Sequence, residues 1–383
     1  MNGTPCSSIH GSRGGLAAPP PRTPSATMPA MKLATYQDGS RDGQLVVVSR
    51  DLATAHYATG VTSRLQQVLD DWSFLSPQLQ DISDALNQDR ARHSFAFDPQ
   101  QCMAPLPRAV HWVCAAAYGN QPGDLQPRQQ LGLNYGPSDY FLGPCGDAVM
   151  PSEAMGIDFG ASLAVVTGDL AMGAVPEQAL DSIRLILLAN VFTLRHAPQH
   201  AAVTAFAPVA VTPDELALHG SGGNGGGKGG SGSNVDNIGK NAGSTSSAWL
   251  GGRLHLAVQS TWNGRRVGMC DSGPDMTFHF GELLAHLAST RNLRAGCIVG
   301  SGPVRNPPVH KNGRAEWPMG YSCIADKRAM ETAQDGQPTT DFMRYGDTIR
   351  IELKGKNGQS VFGAIDQSVL APASAQNHQR DKG

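Results

Sequence analysis

Residues 156–169 read GIDFGASLAVVTGD, and this stretch decides the fold class. Apolar and small residues alternate from Ile157 to Val166, which predicts a half-buried β-strand closed by a turn at Gly168-Asp169. Downstream, PEQALDSIRLILLAN (176–190) puts Leu180, Ile183 and Leu187 at helical spacing, so the segment up to Arg195 reads as mainly helical. Strand signals then dominate. TAFAPVAV (204–211) is strand-like, and LHLAVQSTW and RRVGMC flank Asn263-Gly264, a hairpin turn signature. CIVGSG (297–302), GDTIRIELK (346–354) and SVFGAI (360–365) add further strands, while FHFGELLAHLAST (278–290) predicts a helix. Many strands with few helices between them fit an α+β mixed β-roll or sandwich better than a doubly wound sheet.

Upstream of this region lies a smaller α+β module. MKLATYQDG and QLVVVSRD read as two strands with a turn at Asp38-Gly39. Residues 62–88 carry Leu65, Val68, Leu69, Trp72, Leu79, Ile82 and Leu86 at helical spacing, and Pro77 divides them into two predicted helices. The expected organisation is an extension (1–30), a small N-terminal domain (31–104), a larger domain (105–371) and a tail (372–383). Residues 1–30 contain no acidic residue and lack an apolar signal core, so they read as a disordered extension, with organellar targeting as the alternative. The glycine-rich stretch 220–247 has too little apolar surface to order itself and reads as a flexible insertion.

Composition excludes several function classes. The formal net charge of −2 over 383 residues argues against nucleic acid as the main partner, and no basic stripe suggests a membrane surface. No apolar run approaches the roughly 20 residues of a transmembrane helix. The seven cysteines are scattered and never spaced C-x-x-C, which points to free thiols in a reducing, cytoplasmic setting and away from structural zinc.

Three motifs lead nowhere on their own. Gly222 to Lys228 spells G-x-x-x-x-G-K, but Gly229 stands where Ser or Thr would meet magnesium, and no strand precedes it. His279, Glu282 and His286 share a helical face, yet nothing nearby supplies an open coordination position. Cys114 is a formal nucleophile candidate, but spacing singles it out from the other thiols no better than any of them.

Several separate stretches together carry a resemblance. They are MKLATYQDGSRDGQLVVVSRDL and AHYATG at the N-terminus, FLGPCGDAVMPSEAMGIDF and TAFAPVAVTPDEL in the middle, and GPDMTFHFGELLAHL, VGSGPV, WPMGYSCIADKR and FMRYGDTIRIELKGKNGQSVFGAIDQ towards the C-terminus. In this order they resemble the fumarylacetoacetate hydrolase family, in its two-domain bacterial-type form. The resemblance implies a small N-terminal domain, a C-terminal mixed β-roll, a homodimer and a place near tyrosine catabolism. It also implies metal-dependent hydrolysis of carbon–carbon bonds in β-diketo acids. There, a magnesium or calcium ion held by carboxylates stabilises the departing enolate, and a histidine-centred base activates water.

At the positions where the resemblance places that chemistry, this chain carries other residues. The first metal carboxylate falls on Cys114 and the histidine base, seven residues later, on Gln121. An E-x-E pair falls on Gly160 and Ser162, and a further ligand aspartate falls on Val191. The substrate-contacting lysine falls on Ala201, and the threonine of an S-G-T loop falls on Pro303. Arg195, Gly302 and Asp326 remain, with Pro303, as candidate substrate contacts. A thiol is a poor ligand for a hard cation and Gln is no base at neutral pH. Metal binding and catalysis are therefore expected to be lost or impaired, leaving a pseudoenzyme with no cofactor and a small oxo-acid as its ligand. Two alternatives are a working hydrolase or decarboxylase whose rearranged site uses Cys114, Asp326, Arg195 or neighbouring His residues, and a non-catalytic dimerisation or ligand-binding paralogue.

Overall fold

The computed structural model describes residues 30–119, 131–197, 201–218, 247–312 and 314–373. Among these the largest sheet has twelve strands. Its path runs from Phe95–Ala96 through the N-terminal strands Thr54–Tyr57, Gln44–Val48 and Lys32–Tyr36 to Val209–Val211. It continues through Ile183–Leu194, Ala161–Thr167, Cys297–Pro303 and His111–Ala115 to Leu133–Tyr135. The small N-terminal domain thus extends the sheet of the larger one, through antiparallel pairing of Lys32 with Val211. A second sheet of five strands contains the predicted hairpin, Ala257–Trp262 and Arg265–Asp271, with Asn263 and Gly264 both at positive φ in its turn. Mixed sheets with few helices make the fold α+β.

The twelve-residue strand Ile183–Leu194 corrects the helical expectation for this segment. Only Pro176–Asp181 is helical, started by Pro176 at its first position and ended at Ser182. The strand lies between Val209–Val211 and Ala161–Thr167, and almost every residue in it is buried. A strand covered on both faces needs apolar side chains at consecutive positions, so its pattern lacks the period of two and imitates a buried helix. For the same reason Ala161–Thr167 is buried at all seven positions rather than alternating.

The helical region 62–88 does form two helices, Leu65–Asp70 and Trp72–Asn87, but they part at Asp71 and Pro77 sits inside the second. Pro77 lies five residues into this helix, where it removes one main-chain hydrogen bond without ending the helix. Predicted insertion 220–247 lies, apart from Ser247, outside the described residues, as do the motif Gly222 to Lys228 and residues 1–29.

Two cores pack on opposite faces of the large sheet. One includes an edge-to-face cluster of Trp112, Phe141 and Phe206, with ring centroids 5.1–6.1 Å apart. Each such pair adds about 0.5–1.5 kcal/mol beyond area burial. Lys32 crosses between the domains: its buried ammonium donates to the carbonyls of Arg50 and Val361, each at 2.9 Å. Burial pulls its pKa down to about 8, with Glu215 opposing. His279 and Glu282 form a capping box for the helix Phe280–Leu287, in which His279 Nδ1 accepts from Gly281 N and Glu282 Oε2 from His279 N. These two side chains serve the helix terminus, and His286 is exposed. No helix of the described residues is long and apolar enough to cross a membrane.

Candidate functional site

A cavity of about 530 Å³ opens above the strands His111–Ala115, Ile183–Leu194 and Cys297–Pro303. It brings together Cys114, Val191, Arg195, Gly302 and Pro303, five of the positions singled out from sequence. Gly160 adjoins it from behind. A Cβ at Gly160 would lie 2.9 Å from the Val191 carbonyl oxygen and 3.4 Å from Pro303 Cγ.

The local main chain explains this tight arrangement. Gly160 N donates to the side chain of Asn190, at Oδ1, over 3.1 Å. The Gly160 carbonyl accepts from Val191 N at 2.9 Å and from the Ser162 hydroxyl at 3.1 Å. Ser162 is fully buried and does not line the cavity. Asn190 also donates to Gln367 Oε1, which ties this corner to the strand Ser360–Leu370. At Gly302 φ is +75°, and a Cβ would come within 2.4 Å of the Ala115 carbonyl oxygen, so only glycine fits.

Cys114 pairs in register with Gly300 across a parallel strand contact. Burial pushes its thiol up to about 11, against a hydrogen bond from the Gly302 main chain. A thiol held protonated in this way is a weak nucleophile near neutral pH.

Among the described residues of the cavity wall, the charged side chains are two arginines. Arg195 donates from Nε and Nη2 to Asp158 Oδ2, both at 2.8 Å. Asp158 is fully buried and also accepts from the main-chain amides of Ile324 (2.6 Å) and Ala325 (3.0 Å), so it caps the helix Ile324–Asp335. Burial pushes the Asp158 carboxyl up, while Arg195 and the two amides pull it down without overcoming that effect. For Arg195, burial lowers the pKa but Asp158 outweighs it, so the guanidinium stays above its ordinary value.

Arg305 is the second. Its Nε donates to Asp326 Oδ2 at 2.6 Å, and the carboxylate is 1% exposed. Burial works against the Arg305 charge, and Asp326 with Cys323 more than restores it. Asp326 therefore stands behind Arg305 and is absent from the cavity wall. Its Oδ1 is buried without a hydrogen-bond partner among the described residues. Tyr118 closes one side, its hydroxyl donating to the Ser272 carbonyl at 2.8 Å.

Two predicted positions stay apart from this geometry. Gln121 lies outside the described residues, and Ala201 is placed only as the first residue of the strand Ala201–Phe206, in register with Thr193. Sequence reasoning missed Arg305, Tyr118, Asn190 and Asp158. A signal existed for Arg305, a basic residue two places beyond Pro303 at the end of an apolar strand. Nothing in the sequence marks Asp158 as the cap of a helix 166 residues further on.

The described wall does not suit a hard divalent cation. Such an ion takes six or more oxygen donors, usually with several carboxylates. Among the described residues no three His, Cys, Asp or Glu side chains converge on one point. The described cavity wall contains no carboxylate, and the two nearby ones already hold guanidinium groups.

Comparison with known proteins places this geometry in context. Residues 31–108 match the model of the fumarylacetoacetase N-terminal domain 2, and residues 110–370 match that of the fumarylacetoacetate hydrolase C-terminal domain. Among solved structures, fumarylacetoacetate hydrolase from Exiguobacterium antarcticum superposes with a TM-score of 0.56 at 15% identity, covering 89% of this chain and 100% of that one. Maleylpyruvate hydrolase from Sphingobium sp. SYK-6, in complex with manganese(II) and pyruvate, gives 0.55 at 15% identity over 89% and 99% of the two chains. A Mycobacterium abscessus protein described as a probable 2-hydroxyhepta-2,4-diene-1,7-dioate isomerase gives 0.56 at 15% identity over 90% and 99%. These likenesses concern the fold. No curated protein matches the sequence. With the C-terminal model spanning 110–370 of 383 residues, the chain belongs to the fumarylacetoacetate hydrolase family.

Proposed function

We propose that this protein is a fumarylacetoacetate hydrolase-family member impaired in metal-dependent carbon–carbon bond hydrolysis, which retains a cavity for a small oxo-acid. One observation carries the reading: the described cavity wall is lined by two guanidinium groups and no carboxylate. A thiol at Cys114, an isopropyl group at Val191 and no side chain at Gly160 cannot offset the dehydration of a divalent cation. The oxo-acid class is supported by Arg195, whose planar donors suit a carboxylate, and by the pyruvate bound in the similarly folded maleylpyruvate hydrolase. Homodimerisation, implied by the family, belongs to the same proposal.

The test uses the full chain. Calorimetric titration with magnesium, manganese and calcium chlorides is expected to show no saturable binding. Assays of acylpyruvate cleavage and oxaloacetate decarboxylation are expected to stay at the uncatalysed rate with each metal. Turnover above the uncatalysed rate that manganese supports and EDTA removes would overturn the proposal and establish an active enzyme.

A further inference from the structure

We infer that Arg195 and Arg305 form a metal-independent clamp for a small dicarboxylate, with Arg305 supplying at this cavity the positive charge that a cation would otherwise bring. The inference rests on the oxo-acid reading above and adds to it the residue, the charge and the absence of a metal requirement.

The geometry is that of a prepared anion site. Both guanidinium groups line one cavity of about 530 Å³, a size suited to small ligands. Each is held from behind by one buried carboxylate, Arg195 by Asp158 and Arg305 by Asp326. These tethers fix the planes of the two groups before any ligand arrives, so little side-chain entropy is left to lose on binding. A guanidinium carries five N–H donors, and the Arg305 bond to Asp326 Oδ2 engages Nε. The heads also stand between the carboxylates and the cavity, so an incoming ligand meets donors and positive charge first. A cation would have to displace a guanidinium before it reached an oxygen of Asp158 or Asp326. A carboxylate displaces neither.

The two tethers also meet in one element. Asp158 caps the helix Ile324–Asp335, and Asp326 lies in its first turn. Arg195 and Arg305 are therefore referenced to the same helix end and line the same cavity, so a ligand with two acidic ends can engage both and one with a single end cannot.

Calorimetry with 2-oxoglutarate as the dicarboxylate and pyruvate as the monocarboxylate tests this. Saturable 2-oxoglutarate binding of equal affinity in EDTA and in magnesium is expected, with pyruvate weaker. Arg305→Gln alone strands the Asp326 charge and invites misfolding, so the decisive variant is the double Arg305→Met, Asp326→Asn, which removes both partners. It is expected to melt as cooperatively as the parent and to bind 2-oxoglutarate at least about tenfold more weakly. Binding that appears only with magnesium or manganese would overturn the clamp while leaving the oxo-acid reading intact. A folded double variant that binds like the parent would overturn the role of Arg305. Failure of every oxo-acid to bind, with or without metal, would overturn the oxo-acid reading itself and the clamp with it.

Discussion

Gly160 and Val191 are locked together behind the cavity wall: the Gly160 carbonyl accepts from Val191 N at 2.9 Å, and a Cβ on Gly160 would lie 2.9 Å from the Val191 carbonyl oxygen. The same corner is held by the Asn190 side chain and the Ser162 hydroxyl. Gly160→Ala therefore has to move main chain, and a destabilisation of about 1–3 kcal/mol is expected from overpacking. Urea denaturation of the two proteins measures it. Gly160→Glu should cost more and should not by itself confer metal binding.

Asp158 joins Arg195 to the start of the helix Ile324–Asp335. Asp158→Ala leaves a half-buried guanidinium without its partner and two helix amides without an acceptor. The expected loss is about 3–5 kcal/mol, in the range for breaking a buried pair. Thermal or chemical denaturation reports it. Hydrogen exchange should show the fastest new opening at Ile324 and Ala325.

Lys32 gives a pH dependence with a definite sign. Its pKa falls from 10.5 to about 8 in the fold because burial disfavours the ammonium. Between those values the unfolded chain binds more protons than the folded one, so this residue makes stability rise with pH from about 8 to 10.5. Below about pH 8 both states are protonated and the contribution is flat. Lys32→Met should remove the rise. Denaturation midpoints of both proteins across this window are the measurement.

Cys114 should behave as an inert thiol, since burial holds it at about 11. Iodoacetamide at pH 8 is expected to label the exposed Cys145 well before Cys114 in the folded protein. Peptide mapping after brief labelling decides the order. Rapid labelling of Cys114 would revive it as a nucleophile.

What could be read from the sequence was local or repeated along the chain. Asn263-Gly264 fixed its hairpin because both positions need the left-handed backbone that these residues tolerate. The cavity positions Cys114, Val191, Arg195, Gly302 and Pro303 could be found by resemblance because their flanking strands persist. What escaped depended on distant partners. Ile183–Leu194 is a strand because neighbours cover both faces, and its own spacing does not say so. Arg305 joins the site because it crosses to Asp326, 21 residues away, a contact that no periodicity encodes.

The order of the strands has a consequence for synthesis. Cys297–Pro303 lies between Ala161–Thr167 and His111–Ala115, pairing antiparallel with the first and parallel with the second. A nascent chain has made both outer strands long before the inner one leaves the ribosome. Until then the edges of Ala161–Thr167 and His111–Ala115 face each other across an empty slot, open to pairing with another chain. The window in which such mispairing is expected is therefore set by translation of the roughly 130 residues between Thr167 and Cys297.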